Sequence, residues 1–171
     1  MAVEGSIGVL GRLIADSNRI GFDAVAEHLG GALPLYPASV AKAAALNRLL
    51  AKHGTEAASG ARVELVELLD IKSISSNCNN AVIRVESGSQ LPSTLFVKLP
   101  SAQLWTRLFC NLLGIWSNEC HFYRNAATRV PFRVPESYVI ADRGSRFVLV
   151  LEDLHAADDL RLFTNRDMLD G

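Results

Sequence analysis

Cysteine, histidine and charge of one sign are all scarce in this chain, and each scarcity removes a class of function. The three cysteines, Cys78, Cys110 and Cys120, form no CxxC pair, and an odd number cannot close into a complete disulfide framework. They are read as reduced thiols. The four histidines, His28, His53, His121 and His155, stand singly, so the clustered ligands that tetrahedral zinc requires are missing and no metal site is expected. With 17 basic and 18 acidic residues the formal charge is −1. No basic stripe exists for a phosphate backbone and no acidic tail, so no nucleic acid is expected as a partner. Near the N-terminus the apolar run is short, interrupted by Gly8, Gly11 and Arg12, and Glu4 sits where a secretory leader carries positive charge. Neither export nor a membrane is expected, and the reading is a cytoplasmic protein.

What is present is apolar residue in quantity: 49% of 171 residues, enough for one domain, or for one domain with a helical appendage. Residues 7–53 read as helices. Ile7, Leu10, Leu13 and Ile14 recur at helical spacing, and the Ala-rich stretch PASVAKAAALNRLLAKHG runs from Pro37, suited to a first turn, to Gly54, suited to a C-terminal cap. Between them GGALPLYP reads as a loop, as does GTEAASG beyond Gly54. Residues 1–60 are therefore expected to form an N-terminal helical extension.

From Ala61 the texture changes to short apolar runs: RVELVELLDI, AVIRVES, STLFVKL, SYVIA and RFVLVLE. These predict five strands. The short polar links SGSQLPS and DRGS suit antiparallel neighbours, whereas the long insert from Pro100 to Val134 is expected to be helical. Three strands, helices, then two strands predict an α+β fold: a five-stranded antiparallel sheet with helix packed on one face.

Two residues carry the chemistry. The two-residue period of TLFVKL puts Thr94, Phe96 and Lys98 on one face and Leu95, Val97 and Leu99 on the other. A lysine in so apolar a strand must either reach water or meet a negative partner. Further on, Glu119 shares a helix face with Phe122, Tyr123 and Ala126, so it is either a boundary carboxylate or the partner that Lys98 needs. Two weaker features accompany them. RFVLVLEDL ends abruptly in Glu152, Asp153 and Leu154, a strand exit whose backbone groups suit a purine edge. The first hairpin is rich in Ser73, Ser75, Ser76, Asn77, Asn79 and Asn80, which form either a simple polar turn or a cover for phosphate oxygens. Glycine is absent from it, and neither GxxxxGK[ST] nor GxGxxG occurs in the chain.

In this order the polar hairpin, LFVKLP, NECHFYRNAATRVPFRVPESYVIAD and FVLVLEDL resemble the small lobe of aminoglycoside-phosphotransferase-like kinases, in the ecdysteroid-kinase-like and choline-kinase-like branch. The resemblance covers roughly Ala61 to Leu160. It implies a protein-kinase-like small lobe over residues 61–154, with residues 155–171 the start of a large lobe. It further implies an ATP site in which Lys98 binds the α- and β-phosphates and Glu119 holds the lysine. Leu151, Glu152, Asp153 and Leu154 would form the hinge at the adenine edge. Phe96 would stack on the purine or pack in the core, and Ser75, Ser76 and Asn77 would cover the phosphates. Magnesium and a small-molecule hydroxyl acceptor belong to the complete enzyme. In such kinases the metal-holding residues and the proton-accepting base come from the second lobe, and His155, Asp158 and Asp159 follow the hinge too closely to be that loop. The expectation is thus a truncated phosphotransferase half, inactive alone, with no catalytic residue of its own. The competing expectation is a non-catalytic α+β interaction module in which Lys98 and Glu119 are a structural ion pair. Finally, Leu104, Trp105, Leu108, Phe109, Leu112 and Leu113 mark a broad apolar helix face. It either packs as core or, where a missing lobe normally covers it, drives self-association.

Overall fold

The computed structural model describes residues 2–28, 31–72, 77–88, 91–154 and 156. Helix α1 spans Ala2–His28 and is followed by the short α2, Pro37–Val40, and by α3, Ala43–His53. Pro37 occupies the first turn of α2, where its missing N–H costs nothing. The Ala-rich stretch is thus two helices, broken at Ala41 and Lys42, where Lys42 is extended. On α3, Leu46, Leu49 and Leu50 are buried at the i, i+3, i+4 spacing of one face. Gly54 ends the helix with its N–H on the Leu50 carbonyl. Its backbone is not left-handed. Glycine is needed there because a Cβ would come 2.3 Å from the Leu50 oxygen.

The sheet consists of β1 (Val63–Lys72), β2 (Cys78–Ser87), β3 (Thr94–Pro100), β4 (Ser137–Arg143) and β5 (Arg146–Glu152). Its order is β1-β2-β3-β5-β4, with every neighbouring pair antiparallel. The insert between β3 and β4 is helical as expected, forming α4 (Leu104–Leu112), α5 (Ile115–Asn125) and a 3₁₀ turn at Ala127–Arg129. Gly114, with φ of 65°, makes the left-handed step between α4 and α5. No helix among the described residues is long and apolar enough to cross a membrane.

Helices cover both faces of the sheet, not one. Leu95, Val97 and Leu99 of β3 and Val148 and Val150 of β5 join Leu33, Val40, Leu46, Leu49 and Leu50 in one buried cluster. The alternate residues Phe147, Leu149 and Leu151 join Cys110, Trp116 and Cys120 of α4 and α5 in a second. Two-residue alternation sends neighbours along a strand to opposite cores. This explains why FVLVL, Phe147 to Leu151, is apolar without interruption, since every one of these residues is buried. Each fully buried Leu or Val contributes roughly 1.5–3 kcal/mol. The segment before residue 60 therefore supplies a layer of the same core. Asn47 of α3 fixes the layer to β1, donating through Nδ2 to the Val63 carbonyl at 2.8 Å and accepting the Val63 N–H through Oδ1 at 2.9 Å. At the other edge Gly54 bridges to Val139, and Thr55 donates its N–H to the Tyr138 carbonyl.

Helix α1 runs beside α4 and is fastened by a buried polar knot. Asp23 accepts hydrogen bonds from the N–H and hydroxyl of Ser145, while Arg107 of α4 donates to the Ser145 hydroxyl at 2.6 Å. The approach is so close that a Cβ on Gly144 would meet the Asp23 carboxylate at 2.4 Å, and Gly144 also takes a φ of 64°. This knot sets the rotation of α4. Because Arg107 and Cys110 face inward, Leu104, Trp105, Phe109 and Leu113 face water, with Trp105 79% exposed. The core reading of that apolar row is thereby corrected: Leu108 and Leu112 are half-buried, and the other four residues are exposed.

Candidate functional site

Strand β3 displays its two characters on its two faces. Leu95, Val97 and Leu99 are fully buried against the N-terminal helices, whereas Thr94, Phe96 and Lys98 are half-buried on the face toward α4 and α5. Helix α5 packs Trp116, Cys120 and Tyr123 onto that face and carries Glu119 beside them. The strand and helix bring Lys98 Nζ to 2.6 Å from Glu119 Oε1. Their side chains stay 24% and 25% exposed, so both charges remain reachable from solvent. A pair this exposed contributes at most about 1 kcal/mol to stability.

Around the pair the sheet supplies a graded wall. Asn80 stands opposite Lys98 in the β2–β3 register and Val82 stands opposite Phe96. On the other side Leu149 stands opposite Lys98 and Leu151 opposite Phe96. Directly paired residues share a face, so Phe96 lies between Val82 and Leu151 while Lys98 lies between Asn80 and Leu149. Phe96 is partly buried against the second core cluster, which gives the ring a packing role at once.

Of the other expected site residues, Leu151 joins this wall and Glu152 leaves it. The register partner of Glu152 is Leu95, on the opposite face. Its carboxylate is taken by Arg133 at 2.7 Å and by the N–H of Glu136 at 3.2 Å, and its own N–H donates to the Glu136 carbonyl at 2.8 Å. The strand edge at Glu152 is therefore already paired. Asp153 is buried and its carbonyl accepts the Ala156 N–H, while Leu154 is half-buried in the turn that follows. Asn77 is half-buried immediately before β2. Ser75 and Ser76, like His155, Asp158 and Asp159, lie outside the described residues.

The thiols near the pair are chemically quiet. Burial pushes Cys78 up, with Lys98 opposing and Glu119 reinforcing; burial also raises Cys110 and takes Cys120 to about 12. All three stay protonated at neutral pH, so none is a nucleophile. Tyr123 is likewise raised to about 12 by burial and then by Glu119. Among the described residues no three His, Cys, Asp or Glu side chains converge on a possible metal position. A partly exposed ammonium fixed by a carboxylate, next to an apolar wall, has the chemistry to meet a phosphate group joined to a flat base.

Sequence reasoning singled out the ion pair but gave Asn80 no distinct role within the polar hairpin. The strand register makes it a neighbour of Lys98, and its alternation with Asn79 was the available signal. No protein-family model, curated protein or solved structure matches this chain.

Proposed function

We propose that this chain carries the nucleotide-binding half-site of a small-molecule phosphotransferase, on a protein-kinase-like small lobe. The observation that carries the reading is the Lys98–Glu119 pair, 2.6 Å between β3 and α5. Support also comes from the sheet order with helices inserted between β3 and β4, and from the apolar neighbours Val82, Phe96 and Leu151. In this reading Lys98 meets the phosphates of ATP and Glu119 keeps the ammonium in position. The adenine lies along Phe96 and Leu151. The backbone from Leu151 to Leu154 forms the hinge beside the base, with the Glu152 N–H already given to the Glu136 carbonyl. Phosphoryl transfer also needs metal-holding carboxylates and an orienting base. The proposal for the described residues is therefore binding, and transfer to a small hydroxylated acceptor would need those further groups.

The test is magnesium-ATP binding by calorimetry and ligand-observed NMR, on the parent chain and on Lys98→Ala and Glu119→Ala, each checked for equal folding. Binding by the parent that drops at least tenfold in Lys98→Ala supports the reading. A folded parent that ignores ATP at millimolar concentration overturns it. That result would favour the second reading, a non-catalytic interaction module, for which the observation is the exposed row Leu104, Trp105, Phe109 and Leu113 on α4.

A further inference from the structure

Two adjacent asparagines on β2 face opposite ways and meet opposite fates. Asn79 points toward the N-terminal layer, where its Nδ2 donates to the Pro100 carbonyl at 3.1 Å and the Leu35 carbonyl at 3.4 Å. Asn80 points toward Lys98, its register partner, and is only 5% exposed. Its Oδ1 is fully buried and has no hydrogen-bond partner. A buried carbonyl oxygen left unpaired loses its hydration and gains nothing in return, so it weighs against the fold. A leucine or valine on that face would avoid the loss, as Val82 does one step along the same strand.

We propose that Asn80 is a binding residue of the Lys98–Glu119 site, making a directed hydrogen bond to a phosphate oxygen of the nucleotide. The proposal rests on the nucleotide reading above and deepens it. The Oδ1 position is closed to solvent, so the N–H donor offered to an anion is the amide's Nδ2, which is not among the fully buried unpaired atoms. Lys98 supplies charge without direction; an amide fixed on a strand supplies direction without charge. Together they distinguish a phosphate at one angle from a loosely held counterion.

The experiment compares the parent chain with Asn80→Val and Asn80→Ala. For each, ATP, inorganic tripolyphosphate and adenosine are titrated by ligand-observed NMR, and thermal melting is followed without ligand. The expected result is roughly tenfold weaker binding of ATP and tripolyphosphate in both variants, the size of one lost hydrogen bond to a charged group. Adenosine binding should be unchanged, and the ligand-free melting temperature unchanged or higher. ATP affinity equal to that of the parent in a folded Asn80→Val chain overturns the role of Asn80 and leaves the nucleotide reading standing. A lowered melting temperature in both variants with unchanged ATP affinity overturns it too, making Asn80 structural. Absence of ATP binding by the parent chain overturns both readings together.

Discussion

The two faces of the sheet are built on different terms. Toward the N-terminal helices β3 and β5 present Leu95, Val97, Leu99, Val148 and Val150, all fully buried against aliphatic side chains. Toward α4 and α5 the same strands present Phe96, Lys98 and Leu149, in company with three thiols, a partly exposed ion pair and an unpaired amide oxygen. The first face is wholly apolar and buried, whereas the second gives up part of its packing to polar groups, of which the ion pair is reachable from solvent. A sheet covered on both sides can separate the two tasks, because stability secured on one face tolerates imperfect satisfaction on the other.

That contrast breaks most sharply under truncation. Leu99→Ala should destabilise the chain by about 2–5 kcal/mol in urea unfolding, through lost transfer energy and a residual cavity. Lys98→Ala, one residue away on the other face, should cost less than about 1 kcal/mol. Equal losses at the two positions would erase the distinction. Asp23→Ala comes next, at about 3 kcal/mol in the same assay, because Arg107 would lose its buried carboxylate where α1, α4 and the β4–β5 turn meet. If that change is neutral, α1 is not fastened by this knot.

Alkaline pH sharpens the comparison from the thiol-bearing side. Burial raises Cys120 from 9.0 to about 12, so the unfolded chain ionises first as pH rises. The stability tied to this group is fully present below pH 9.0 and is lost between there and about 12, on the order of 1 kcal/mol per pH unit. Urea midpoints measured from pH 8 upward should fall accordingly, and Cys120→Ala should flatten the slope. The smallest effect belongs to the exposed row: Trp105→Ser should change stability by less than about 0.5 kcal/mol, since the ring is 79% exposed. A larger loss would mean that α4 packs through that row after all.

Strand positions were legible in the sequence because each is a short apolar run between turn residues, and β1 to β5 fall where those runs stand. The ion pair was legible for a related reason: a lysine in TLFVKL and a glutamate on an aromatic helix face each demand a partner. The orientation of α4 was not legible. Its apolar residues outnumber its polar ones, yet Arg107 faces in, because Ser145 and Asp23 lie far away in sequence and come together only through the fold. For the same reason Glu152 read as part of a purine edge, while Arg133 and Glu136 already hold it.

By itself the sequence determined the α+β composition, the alternation that splits β3 into an apolar and a charged face, and the residues able to form one ion pair. These follow from local periods and from the cost of leaving a charge unpaired, both properties of the chain taken a few residues at a time. Only the tertiary structure decided that helices cover both faces of the sheet, that α4 shows its apolar side to water, and that the Asn80 amide oxygen is left unpaired on the face of Lys98. Each of those depends on which distant segments meet, and that is set by packing of the whole chain.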